Sequence, residues 1–434
     1  MSLRKLLLLG ILSIFSFTSS CYASEDTSST WENKLIFIGE VRTRFEYRSN
    51  PTFSKTADDE EQMLLTRIRL SLEAKLFPEL TLFGQVQDSR EFFSNEVPNV
   101  NEDAFDLYQA YISIHNINDI PFDFRLGRME LIYGSRRLVA APAEWSNTGK
   151  SFDAVKVIWN GNQYNLDVFY SSVVVQKRYS FDESDWNTRL TGIYGTWKGL
   201  QDGVVDGYLL LKYNDNKTTQ GENSIKDDLY VYTIGSRTKG TVNNRWDYSG
   251  EFAYQFGNYG TDNISAWAIH AALGYTFAQD LKPRLAVEID HASGDSNPKD
   301  GTHESFEILY PSNHDKYGYM DLFCWKNMTN LRFTGSVQPN KKMITQLDFH
   351  LFWLDTVKDA WYNSQGKIIR KDSTGTAGNF VGEEIDLTAS YILNKNWKFL
   401  LGYSHFFPGP FISESGGNSS DIADFAYLQT TFTF

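Results

Sequence analysis

Asp424-Phe425-Ala426-Tyr427-Leu428-Gln429-Thr430-Thr431-Phe432-Thr433-Phe434 ends the chain and decides how the rest of it is read. Counted back from the last residue, Phe434, Phe432, Thr430, Leu428 and Ala426 share one face of an extended strand. Thr433, Thr431 and Gln429 share the other, because strand side chains alternate with a period of two. A strand that finishes on an aromatic, with one apolar face, suits a sheet that closes its last strand against its first. The last strand of a soluble β-domain is the competing reading of these residues alone.

The same terminal pattern resembles the closing strand of bacterial outer-membrane β-barrels, and the bulk properties agree with it. Mean hydropathy is −0.40, and beyond the N-terminus no run of ~18 apolar residues is long enough for a membrane helix. A barrel escapes that need, since only alternate residues face lipid. Aromatics make up 15% of the chain, as expected where rings collect at two membrane interfaces. Residues 1–23 read as a secretory signal: Arg4-Lys5, an apolar stretch from Leu6 to Phe17, and Cys21-Tyr22-Ala23 before cleavage. Residues 24–33 are expected to form a short periplasmic segment and 34–434 the barrel. Cleavage removes Cys21 and leaves Cys324 alone, which excludes a disulfide framework and a cysteine zinc site. The formal charge of −13 becomes more acidic once Arg4 and Lys5 leave, and it argues against nucleic acid as a partner.

Alternation recurs all along the chain. In 35–48, Leu35, Phe37, Gly39, Val41, Thr43, Phe45 and Tyr47 oppose Glu40, Arg42, Arg44, Glu46 and Arg48. In 64–76, Ile68, Leu70 and Leu72 oppose Arg67, Arg69, Ser71 and Glu73. The segments 245–257, 284–291, 343–354 and 384–393 repeat the pattern. Short connections such as Phe77-Pro78-Glu79 and Asn394-Lys395-Asn396 alternate with mostly longer ones near 49–61, 94–103, 132–150, 176–188, 214–227, 258–264, 293–327, 355–380 and 408–422. The fold expected is all-β, an antiparallel transmembrane barrel of about 18 strands with short periplasmic turns and long extracellular loops. Sixteen is the alternative count, because 189–198 and 228–239 alternate poorly. A propeller would show a fixed sequence period, and none is present.

Arg125-Leu126-Gly127-Arg128-Met129-Glu130-Leu131-Ile132-Tyr133-Gly134-Ser135-Arg136-Arg137-Leu138 leads into Glu144-Trp145-Ser146-Asn147-Thr148-Gly149-Lys150-Ser151-Phe152-Asp153. With Gln87-Asp88-Ser89-Arg90 and the Phe306–Leu322 stretch, this resembles the alginate-export family of outer-membrane channels, which carries a GRxxLxYGxxRL segment followed by W-S-N-x-G-[RK]-x-F-D. Ala140-Ala141-Pro142 stands where the family often has a glycine. The resemblance implies an eighteen-stranded barrel with a charged lumen, whose best-known members secrete the polyuronate alginate.

Guanidinium forks suit such cargo, because they bind carboxylates bidentately and stay ionised. Strand parity puts Arg42, Arg44, Arg67, Arg69, Arg245, Arg284 and Arg332 on inward rows, with Glu40, Glu130, Asp153 and Glu288 as partners. Arg125 and Arg128 have opposite parity, and the family motif selects Arg128. A structural ladder of ion pairs that fills a polar interior is the competing role for each of them. The expected function is a passive outer-membrane channel for an anionic polysaccharide or oligosaccharide. The alternative is a general or substrate-selective porin for small anions or sugars, and a barrel plugged by its loops is a third class. The connection 293–327 is long enough to fold inward and restrict the lumen. Outer-membrane lipid, lipopolysaccharide and periplasmic secretion components are the other expected partners.

No enzyme site, cofactor or metal is expected. The seven histidines lack the helical spacing of a zinc protease, and no nucleophile elbow or phosphate loop occurs. Residues 294–301 look like an oxygen-rich calcium loop, but Lys299 sits where a ligand is wanted. The acidic runs Asp58 to Glu61, Glu102-Asp103 and Asp182 to Asp185 invite bridging cations, although such runs are usually solvated loop tips.

Overall fold

Rows of apolar residues two apart can leave water on only one side of a sheet, and eighteen such strands bury their unpaired edges by closing on themselves. The computed structural model describes residues 34–53, 60–93, 101–116, 121–142, 144–416 and 421–434, and they form a closed antiparallel barrel of 18 strands. The expected signal and the 24–33 segment lie outside the described residues. The first nine strands are β1 (Leu35–Ser49), β2 (Glu61–Phe77), β3 (Leu80–Phe92), β4 (Asp103–Ile114), β5 (Phe122–Met129), β6 (Phe152–Asn160), β7 (Tyr164–Val175), β8 (Glu183–Trp197) and β9 (Gly203–Gln220). The rest are β10 (Lys226–Val242), β11 (Trp246–Tyr259), β12 (Asp262–Thr276), β13 (Arg284–Ala292), β14 (Met328–Asn340), β15 (Met343–Trp353), β16 (Phe380–Ile392), β17 (Trp397–Pro408) and β18 (Ala423–Thr433).

The seam lies between β1 and β18, with Glu40 opposite Thr433 and Ser49 opposite Asp424. Phe434 continues it: Gly39 N–H donates to the Phe434 carbonyl at 2.8 Å and Phe434 N–H to the Gly39 carbonyl at 3.0 Å. The Phe434 ring covers the space a side chain at Gly39 would need. Outward rows carry exposed Val41, Ile68, Leu70, Leu285, Val287, Leu387 and Leu428, while Arg42, Arg67, Asp290, Asp386 and Gln429 on the opposite rows are buried. Trp246 packs at a tilt against Tyr275, and Trp397 against Phe432, toward the short turns. Tyr170 with Trp186, and Tyr213 with Tyr230, gather toward the long connections, as two aromatic girdles would.

Two connections are tighter than their sequence implies. β9 and β10 leave only 221–225 between them, and β11 and β12 only Gly260-Thr261, where Gly260 takes φ +59°. The polar stretch after Asn214 breaks register and pairs with β10 again at Thr219 and Gln220, beyond the apolar band, so alternation fades before the strand does. All but Lys198 of the 189–198 stretch lies within β8 and the 228–239 stretch within β10, which fixes eighteen strands over sixteen.

Segments of the chain fold into the interior. The segment 130–150, between β5 and β6, buries Leu131, Leu138, Val139 and Ala140, and 305–327 buries Phe306, Tyr317, Phe323 and Trp325. The two segments pair with each other: Val139 bridges Tyr310 in parallel, Ala140 N–H donates to the Tyr310 carbonyl at 2.7 Å, and Ser312 N–H to that of Arg136 at 2.9 Å. A hairpin of Ala360–Tyr362 and Ile368–Lys371 covers them, with Trp361 donating its indole N–H to the Leu322 carbonyl at 2.8 Å.

Candidate functional site

One group of predicted residues meets on β1 and β2. Arg42 and Arg44 follow each other on the inward row of β1, and Arg67 and Arg69 on that of β2. All four are 2–8% exposed. Arg42 donates to the carbonyls of Glu144 and Ser146 and to Asn147 Oδ1, at 2.9 to 3.1 Å. Arg44 donates to Glu46 and to the Trp145 carbonyl, both at 2.6 Å, and its guanidinium lies 3.6 Å from the Trp145 ring centre. Arg67 forks Glu40 at 2.6 and 3.0 Å and reaches the Ser146 carbonyl at 3.1 Å. Arg69 donates to Gln87 at 2.7 Å, lies over the Tyr108 ring, and stands 3.8 Å from Glu130. Three of these arginines therefore hold backbone oxygens of one inserted tetrapeptide, Glu144 to Asn147.

A second group lies on β12–β15, well around the barrel from β1. Arg332 donates to Asp348 at 2.9 Å and stands 3.8 Å from Glu288. Between Glu288 (2.5 Å), Asp290 (3.2 Å) and His270 (2.8 Å) sits Arg137 of the inserted segment. Burial opposes the Arg137 charge, but Asp290 and Glu288 more than offset it and the guanidinium is held protonated more firmly than usual. The segment 130–150 is thus tied to walls on both sides of the lumen. Its Trp145 stacks on His314 with ring centres 3.4 Å apart and donates to Asp321 at 3.2 Å. Burial works against ionised Asp321, yet His314, Arg48 and Arg44 together hold its carboxyl below the usual range.

Three expected positions need correction. Arg245 is exposed in the turn between β10 and β11, because Asn243 and Asn244 both take φ +53° and reverse the chain one residue before β11 begins. Arg128 stands on the row of Phe124 and Leu126, the outward face, and forks Asp153 at 2.9 and 3.2 Å near the long connections. Asp153 is opposite Arg128 in register and shares that face. Arg125 is the inward one of the two, donating to buried Ser113 at 3.1 Å and lying over Tyr111. Arg284 pairs with Asp247 at 2.6 Å, at the short-turn end of β13, the strand that also carries Glu288 and Asp290.

Sequence reasoning missed Arg137, Trp145, Arg48 and Arg136 as parts of this site. Arg48 donates to the Met320 carbonyl at 3.2 Å. Arg136, with φ +67°, pairs with Glu144 at 2.5 Å and leaves 38% of its side chain exposed, a charge on the inserted segment that solutes can reach. For Arg137 the signal was available: two adjacent arginines share a connection whose only acids are Glu130 and Glu144, so one of them needs carboxylates from elsewhere.

A family model described as alginate export matches residues 33–424. No protein among curated sequences matches the chain. Pseudomonas aeruginosa OpdO superposes with a TM-score of 0.62 at 11% identity, over 93% of this chain and 97% of that one. OpdK of the same organism, solved with vanillate, gives 0.60 at 9% identity over 92% and 98%, and Acinetobacter baumannii OccAB2 gives 0.60 at 10% over 92% and 98%. Such identities speak to the fold alone. Fold and family match together are those of outer-membrane channels rather than enzymes.

Proposed function

The chain belongs to the alginate export family, and from that premise we propose that its barrel passes an anionic saccharide of the uronate type passively across the outer membrane. The observation that carries this reading is the quartet Arg42, Arg44, Arg67 and Arg69, turned inward from two neighbouring strands, three of them onto the oxygens of Glu144 to Asn147. Guanidinium forks that hold main-chain oxygens are the same forks a carboxylate takes. Arg136 and Arg48, less buried and close to the inserted segments, offer the first accessible positive charges. Nearby Glu40, Glu46 and Glu144 keep the attraction shallow, and a conducting path needs weak sites in series. In this reading residues 1–23 are the leader, 24–33 a periplasmic approach to the barrel, and periplasmic secretion components deliver a polymer at the short-turn end.

A second reading, a selective porin for small anions, is favoured by the packing of 130–150 against 305–327, which narrows the bore. One structural neighbour was solved with vanillate, a small carboxylate. Chain length separates the two readings. Single-channel recordings with mono-, di- and oligouronate should show block that deepens with length, and Arg136→Ala should weaken it about 1.5-fold to fivefold, the worth of one exposed charge pair. Block by the monomer only would favour the small-anion porin, and no block by any of them would overturn the proposal.

A further inference from the structure

We propose that Asp103, Asp106 and Asp182 form a calcium-sized cation site which pins the β7–β8 connection to the long-connection end of β4. One carboxylate oxygen from each lies within 4.8 Å of the others. That spacing lets a single ion with oxygen ligands at about 2.3–2.6 Å touch all three. The residues are 1%, 4% and 8% exposed, so this is not a solvated acidic tip. Asp103 Oδ1 is buried with no hydrogen-bond partner, while its other oxygen accepts from Gln87 at 3.1 Å. An orphaned carboxylate oxygen at that depth calls for a ligand.

Side-chain cations nearby are committed elsewhere. Arg128 forks Asp153 and meets only the main-chain oxygen of Asp182, at 3.3 Å. Lys177 pairs with Glu183 at 2.6 Å, Arg178 pairs with Glu102, and the Lys150 ammonium lies over the Tyr310 ring. Among the described residues no ion pair reaches any of the three carboxylates. Hydrogen bonds from main-chain N–H groups orient them instead: Leu107 and Asp182 donate to Asp106, and Lys177 to Asp182 at 2.8 Å. Beside the trio a cavity of about 480 Å³, lined by Leu107, Ala110, Phe181 and Arg128, leaves room for the waters that complete a calcium shell. The ion would join positions 76 residues apart in sequence, Asp106 and Asp182, independently of what the lumen carries.

The test is calcium binding to the whole mature protein in detergent, by equilibrium dialysis after chelator treatment. Wild type and Glu183→Gln should each take up one Ca²⁺ per chain, with a Kd of about 10⁻⁴–10⁻³ M, the range of extracellular sites. The double variant Asp106→Asn/Asp182→Asn should lose at least tenfold in affinity, while heat-modifiable gel mobility reports that its barrel has formed. Asp103→Asn, which keeps the Gln87 contact within reach, should lose affinity as well. No saturable uptake by the wild type below about 1 mM, uptake by the double variant equal to wild type, or equal loss in Glu183→Gln would overturn the proposal.

Discussion

At Arg137 two carboxylates and an imidazole converge on one guanidinium deep in the barrel, and the arginine comes from a connection, not from the wall. The arrangement is a tether: Glu288, Asp290 and His270 belong to strands, so wherever they sit Arg137 must follow. Removing the guanidinium would leave two buried acids facing each other, and breaking such a pair costs about 3–5 kcal/mol. Arg137→Ala is therefore expected to release 130–150 from the β12–β13 wall and to raise single-channel conductance, with a lower urea midpoint in lipid. An unchanged conductance would mean that the inserted segment does not restrict the path. The partition between parity and motif is also visible at this scale. Parity alone puts Arg42, Arg44, Arg67 and Arg69 inward, where they are, whereas the family motif favoured Arg128 over Arg125 and pointed to the wrong face. Arg245 failed for a local reason, a two-asparagine turn that starts the next strand one residue late.

Among the elements, the β1–β18 seam shows how much of a barrel one terminal strand can determine. Phe434 adds two main-chain hydrogen bonds to Gly39 and lays its ring where no side chain stands. Deleting Phe434 removes both bonds and the ring, about 2–3 kcal/mol at roughly 1 kcal/mol for each bond and a similar amount for the half-exposed ring. The deletion should lower the urea midpoint in vesicles, and Phe434→Ala, which keeps the backbone bonds, should lower it less. Equal effects of the two changes would place the closing energy in the ring alone. Strands such as β1, β2 and β13 were legible because lipid on one side enforces a strict two-residue period. The ends of β9 and β11 were not, since above the apolar band only the backbone ladder holds a strand and side chains are free to vary. The path of 130–150 was illegible for a different reason. A polar connection is stable inside a barrel only if distant strands supply its hydrogen bonds, and no local window of sequence records that.

For the whole molecule, the acidic sum of −13 and the guanidinium groups inside it are compatible because charge is distributed by height and face. Glu102, Asp103 and Asp182 collect at the long-connection end, while arginines from β1 and β2 face the inserted segments. What that distribution does to ions is the centre of this account, and it is read most directly from the reversal potential of a single channel held between unequal concentrations of sodium glucuronate. A passive path lined by accessible Arg136 and Arg48 predicts a potential shifted toward the uronate equilibrium value, the anion crossing more readily than sodium. A shift toward the sodium value, or a reconstituted barrel that carries no current, would contradict it.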